Sequence, residues 1–271
     1  MEDALALSGR IEQRDKKFVA DIIGQAYANH LFIRLIAKGR RFTKIDFKYS
    51  IFDACYLRDC AFDSCDFTGC RFIATNLSGS SFAGCKFDYA VFEKTSVDSD
   101  LLDIGCPGHE NLKMRFARSL RMNYQQLGDA RSANKAIVVE LQAMGVYLNK
   151  AWQSNESYYR KKYSGLKRLQ AFLDWGRFKI LDWVWGNGES PLKLLRTAAL
   201  FLIFMAVGDV IAFGDWRSLP SYGNAVLEAP QIFFGAKTPP YPGWWLTTIL
   251  IVRLMIFGFF MAIIVKRFNR R

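Results

Sequence analysis

Acidic side chains nearly vanish from the last third of this chain. Of 25 Asp and Glu residues in 271, only Asp209, Asp215 and Glu228 follow Pro191, and apolar runs dominate there. The earlier part therefore reads as soluble and the later part does not. Also missing is a secretory signal, because residues 1–15 are mixed and charged with no apolar core before a small-residue cleavage site. Histidine is scarce. His30 stands without a partner cluster, so a packed or surface role is expected for it rather than ligation. No zinc-ligand spacing, redox cysteine pair, phosphate loop or nucleophile–base pairing is found, which argues against an enzyme, catalytic residues, a metal or a cofactor.

Positive charge is what the chain has in excess, with a formal net charge of +12. A basic surface can bind nucleic acid. Its placement favours a membrane instead: Arg160, Lys161, Lys162, Lys167, Arg168, Arg177 and Lys179 precede the first apolar span, and Lys266, Arg267, Arg270 and Arg271 follow the second. That is the positive-inside pattern.

The strongest internal signal is a period of five. Phe42, Phe47, Phe52, Leu57, Phe62, Phe67, Phe72, Leu77, Phe82, Phe87, Phe92 and Val97 form one column. Two residues earlier runs a column of smaller side chains that includes Ser50, Cys55, Cys60, Cys65, Cys70, Thr75, Ser80 and Cys85. A large apolar and a small residue repeating every five fit neither an α-helix nor a flat strand. The cysteines are expected as reduced thiols filling a core.

Runs such as CAFDS, CDFTG, CRFIA, TNLSG and CKFDY resemble the pentapeptide-repeat family over Arg40 to Ser99. The resemblance implies a right-handed quadrilateral β-helix with four pentapeptides per coil, hence three coils and a height of only ~14 Å at the inter-strand spacing. Leu57, Leu77 and Val97, twenty residues apart, would stack on one face. So short a stub needs caps. Residues 1–39 are expected to supply a helical one, since Val19, Ile22, Ile23, Ala26 and Tyr27 share a helical face within Lys16 to Lys38 and Gly39 follows. Some members of the family mimic DNA and bind topoisomerase. Here outward charges alternate in sign, as with Asp46 beside Lys48 and Glu93 beside Lys94, so a phosphate mimic and a nucleic-acid partner are not expected.

Residues 100–190 read as a helical connector. Leu112, Phe116, Leu120, Tyr124 and Leu127 recur at helical spacing, Gly128-Asp129 is a turn, and a second helix starts at Ala130. YYRKKY followed by FLDWGRFKILDWVW is the amphipathic, basic and aromatic composition expected at a membrane face. Ser190-Pro191 then caps the next helix.

Residues 191–271 carry two apolar spans, about Leu194 to Phe213 and Trp244 to Val265, each long enough to cross a bilayer. Between them YGNAVLEAPQIFF is apolar enough to dip back into the membrane. Two spans put both termini on one side, and the charge pattern puts that side in the cytoplasm. The fold class is thus α+β: a β-helix, a helical connector and two transmembrane α-helices around a re-entrant loop.

From Asn111 onward, and above all in RLMIFGFFMAIIVKRFNRR, the chain looks like bacterial pentapeptide-repeat proteins that end in a two-helix ion-channel domain. The resemblance implies a homo-oligomer, four subunits around one pore, in a bacterial inner membrane, with the repeat domain organising assembly or sensing a cytoplasmic partner. A pore wall of Arg253, Phe257, Phe260 and Ile264 is expected, with Gly258 resembling an inner-helix hinge. The filter-like segment Phe234, Gly235, Ala236, Lys237 and Thr238 departs from a potassium filter, keeping one glycine and adding a cation, so standard potassium selectivity is not expected. Arg253 should avoid lipid, either by lining the pore or by pairing with Asp209. Glu228 and Lys237 are candidate mouth charges. The alternative function is a membrane-anchored scaffold without conduction.

Overall fold

The computed structural model describes residues 9–268, which fall into two compact units, one ending at Phe172 and the other beginning at Leu173. The first unit opens on a β-solenoid. Strands β1 (Ile11–Arg14), β3 (His30–Ile33), β5 (Ile51–Asp53), β7 (Arg71–Ile73) and β9 (Val91–Glu93) form one parallel sheet. A second is formed by β2 (Ile22–Ile23), β4 (Arg41–Thr43), β6 (Ala61–Asp63) and β8 (Ser81–Ala83). Two further columns of isolated bridges, through Ile36, Tyr56 and Asn76 and through Asp46, Asp66 and Lys86, complete four sides. Five passes through the first sheet bracket about four turns, not the three expected.

Each side has its own interior ladder. Phe32, Phe52, Phe72 and Phe92 stack with centroids 5.0, 5.0 and 4.9 Å apart. Phe47, Phe67 and Phe87 stack at 5.2 and 5.1 Å, and Phe42, Phe62 and Phe82 at 4.9 and 5.2 Å. Leu57, Leu77 and Val97 fill the remaining side and are buried. Aromatic rings stacked at this spacing add contact energy to the burial of their area.

The smaller column has a hydrogen-bonding task. Thr75 Oγ1 donates to the carbonyl of Phe52 (3.0 Å), Ser80 Oγ to Leu57 (2.7 Å) and Cys70 Sγ to Phe47 (2.8 Å), in each case 23 residues earlier. A carbonyl that the coil turns inward would otherwise be buried and unpaired. A short side chain with a terminal donor meets that need, which suits Ser, Thr and Cys to this register, although Ile45 and Ala90 occupy it without a donor. The residue before it sits in the left-handed region in many repeats, for example Ala54 (φ 52°) and Tyr89 (φ 60°). At Gly69 (φ 70°) a Cβ would approach the Tyr49 ring to 2.6 Å, so the glycine leaves room for the tyrosine stacked over it.

Residues 1–8 of the expected helical cap lie outside the described residues, and among the described residues 9–39 that cap is absent. This segment is solenoid: β1, β2 and β3 lie in it, Val19 and Ile23 are exposed, and Ile22, Tyr27 and Phe32 are core. Two causes hid it. Lys17 pairs with Ile36, a separation of 19, whereas Ile22 pairs with Phe42, a separation of 20, so one residue is missing between Lys17 and Ile22. From Ile22 on the period holds through Tyr27, Phe32 and Ala37, but the column two residues earlier reads Ala20, Gln25, His30, Leu35 and Arg40 in place of Ser, Thr or Cys. His30 is a packed interior residue, stacked on Phe32 at 5.5 Å, with Nδ1 2.9 Å from the Ala28 carbonyl. Among the described residues, the first coil presents polar groups at its end. Lys16 places Nζ 4.9 Å from the centre of the Phe18 ring and donates to Gln13 Oε1 at 3.0 Å. An inward charge of this kind blunts an open β end against stacking with another chain.

The opposite end is capped by helices. After α1 (Leu101–Ile104), α2 (Glu110–Gln126) lies across the last coil and replaces the missing next one. The side chains of Ser119, Asn123 and Gln126 accept from the backbone N–H groups of Phe92 (2.9 Å), Thr95 (2.7 Å) and Lys94 (3.1 Å). Asn123 also donates to the Thr95 carbonyl at 2.7 Å. The helix α3 (Ala130–Gln153) packs back on α2, with Asp129 capping its start by accepting from Ser132 N at 3.0 Å. A short α4 (Ser157–Lys162) follows.

Four helices concern the second unit: α5 (Leu166–Trp185), which begins in the first, then α6 (Pro191–Phe213), α7 (Leu219–Phe234) and α8 (Gly243–Phe268). Ser190 caps α6, accepting from Lys193 N at 3.3 Å, with Pro191 in the first turn. By length and composition α6 and α8 are apolar enough to cross a membrane.

Candidate functional site

The expected site residues converge on the packing of α6, α7 and α8. Ala206 and Val210 of α6 meet Ala225 and Ala229 of α7, and Met205 meets Ile232, Phe233 and Ile249. α7 therefore runs back along α6, small residues against small residues, which lets two helices approach closely. Its C-terminus ends beside Arg253, which lies ten residues after Gly243, about 15 Å along α8 at 1.5 Å per residue.

That terminus has a defined closure. Gly235 has φ 81°, its N–H donates to the Ile232 carbonyl at 3.0 Å, and the N–H of Ala236 donates to Gln231 at 2.8 Å. This is the paired-bond ending that a left-handed glycine permits. Arg253 Nη1 lies 3.4 Å from the Phe233 carbonyl, and a Cβ at Gly235 would come within 2.8 Å of the same nitrogen. The guanidinium is thus set against the negative end of the α7 dipole, a favourable place for a cation.

Of the two expectations for Arg253, lining a pore or pairing with Asp209, the pairing is not formed. Asp209 instead accepts from the Tyr241 hydroxyl at 2.5 Å, and Tyr241 stacks on Phe213 at 5.1 Å. Four residues of α6 separate Asp209 from Phe213, one turn, so the Asp209–Tyr241 bond ties the loop to the far end of α6. An exposed helix carbonyl nearer to Arg253 won over a more distant carboxylate.

The remaining expected residues are distributed as follows. Phe234 is the last residue of α7 and is 74% exposed. The candidate mouth charges Lys237 and Glu228 pair with each other at 2.6 Å. Thr238 is exposed in the loop. Phe257 and Phe260 line an apolar groove of about 500 Å³ together with Leu194 and Ala198 of α6 and Phe233 of α7, and Arg253 reaches the same groove. Ile264 is half-buried one turn beyond Phe260. Gly258 lies within the continuous helix α8, and a Cβ added there would meet open space. Tyr241, the partner of Asp209, was missed by sequence reasoning because nothing local links a loop tyrosine to an aspartate 32 residues earlier.

The repeat domain matches a known family. The family model described as Pentapeptide repeats matches residues 41–79 and 65–98, in eight copies. The β-solenoid is accordingly built of pentapeptide repeats, and the same chain carries two apolar helices of membrane-spanning length. No curated protein matches the chain. Among solved structures, a pentapeptide repeat protein from the thylakoid lumen of Arabidopsis thaliana is 16% identical, with 38% of this chain and 81% of that one covered and a TM-score of 0.23. QnrB1, a plasmid-mediated fluoroquinolone resistance protein, is 17% identical over 33% of this chain and 64% of its own, with a TM-score of 0.16.

Proposed function

We propose that α6 and α8 cross a lipid bilayer, that α7 and the loop after it re-enter it, and that copies of the chain assemble into an oligomeric pore, four around one axis. Both termini and the repeat domain then face the cytoplasm of a bacterium, and the inner membrane is the location. The carrying observation is the path of the chain: α7 descends along α6, stops at Arg253 partway down α8, and returns to Gly243 through a short loop anchored by Tyr241. A soluble packing helix has no need to stop at that depth and turn back. Potassium selectivity is not expected, because Arg253 neutralises the helix end that would otherwise hold a cation. An arginine repeated around the axis favours anions.

A second reading, a membrane-anchored repeat scaffold without conduction, is favoured by one observation: the loop cation Lys237 is satisfied within its own chain by Glu228. Planar-bilayer recording separates the two. Unitary currents are expected from the purified protein, with reversal potentials in asymmetric salt moving toward cations in Arg253→Ala. Silence under every trigger removes the pore and leaves the scaffold.

A further inference from the structure

The second half of α5 has an apolar stripe left largely exposed by the described residues. Leu173, Gly176, Ile180 and Trp183 recur at intervals of three, four and three residues, one face of a helix. Leu173, Ile180 and Trp183 are 60%, 64% and 52% exposed. Three large apolar side chains in one line on water would be a liability for a soluble surface.

Its neighbours fix where this stripe lies. Trp185 stacks on Phe259 of α8 at 4.3 Å, and Lys193 pairs with Asp182 at 2.8 Å. Arg196 lies over the Trp183 ring at 4.9 Å, and Thr197 Oγ1 donates to the Val184 carbonyl at 2.8 Å. Lys266 pairs with Glu189 in the turn between α5 and α6. This half of α5 is therefore pinned beside the start of α6 and the end of α8. Around it Arg177, Lys179, Lys193, Arg196 and Lys266 outnumber Asp174, Asp182 and Glu189.

We propose that residues 173–185 lie flat in the headgroup layer of a leaflet rich in anionic lipid, with Leu173, Ile180 and Trp183 toward the acyl chains and Arg177 and Lys179 against lipid phosphates. The inference rests on the spanning assignment of α6 and α8. Three features select this occupant: an exposed apolar stripe on a helix pinned to the ends of two apolar helices of spanning length, a tryptophan held there by a cation, and a surplus of positive charge. The stem of Arg177 is long enough to reach phosphate from the edge of the stripe.

The test uses the full chain in lipid nanodiscs, with Cys85→Ser and Cys106→Ser as background, since the other four thiols are buried. An environment-sensitive fluorophore is placed in turn at Leu173→Cys, Ile180→Cys, Asp174→Cys and, as a control within α8, Leu250→Cys. Probes at 173 and 180 are expected to emit to the blue of the probe at 174 and to be quenched by lipid-borne nitroxides, more strongly in phosphatidylglycerol than in phosphatidylcholine. Arg177→Glu with Lys179→Glu should abolish that lipid preference. Aqueous emission at 173 and 180 with a lipid-quenched probe at 250 overturns the inference and leaves the spans standing. Aqueous emission at all of these sites overturns both. A blue shift without lipid quenching overturns it in favour of a protein cover, and equal quenching in the two lipids overturns the anionic assignment.

Discussion

Within the solenoid, a residue's role is set by whether its side chain points in, and by what the neighbouring coil presents to it. Phe67 sits between Phe47 and Phe87 and is 1% exposed. Phe67→Ala should destabilise the repeat domain by about 3–5 kcal/mol, read as a lower melting temperature of its β-sheet circular dichroism, whereas outward Lys48→Ala should change it little. The interior thiols carry a pH signature. Burial pushes Cys55 from its ordinary 9.0 up to about 12. An unfolded thiol loses its proton near 9.0 while the folded one keeps it, so the folded state binds more protons between those values and stability falls as pH rises through that window. Between about pH 8 and about pH 10 the chain with Cys55→Ser should lose less stability than the parent, the remaining loss coming from the other buried thiols such as Cys60 and Cys70. Identical pH slopes would refute this.

Elements in this chain are defined by what terminates them. The last coil ends because α2 offers side-chain acceptors at Ser119, Asn123 and Gln126, a spacing of four and three that keeps them on one face. Replacing Asn123 by Leu orphans the buried Thr95 N–H and carbonyl, at about 1–3 kcal/mol each. The expected readout is rapid amide exchange in β9 with the early coils still protected. Uniform loss of protection across all coils would mean that the solenoid unfolds as one unit and has no separately stabilised end. At the first coil, Lys16 and Gln13 play the complementary part by making the end polar. The five-residue period was legible wherever both columns held their residue types, from Phe42 to Val97. Between Ile22 and Arg41 the period holds, but Gln25, His30, Leu35 and Arg40 replace the small column and Ile22, Ile23, Ala26 and Tyr27 imitate a helical face; before Ile22 a single missing residue shifts the inward positions as well.

For the molecule as a whole, the proposal requires copies to meet around an axis. Mass measurement of the protein released from membranes in native nanodiscs should give a closed ring of identical chains, with four expected. A monomer, or a pair with no central axis, would support the anchored scaffold instead. The apolar side chains left exposed along α8, among them Leu250, Leu254, Phe257 and Val265, are consistent with surroundings of lipid or neighbouring subunits.

Sequence alone determined the repeat and the two helices long and apolar enough to cross a membrane, because each is a property of spacing or composition along the chain. Only the tertiary structure decided where the interior charges go. Arg253 found the carbonyl end of α7 and Asp209 found Tyr241, partners 20 and 32 residues away in the chain. A buried or lipid-facing polar group takes whichever complementary group the packing brings within reach, and periodicity carries no record of that choice.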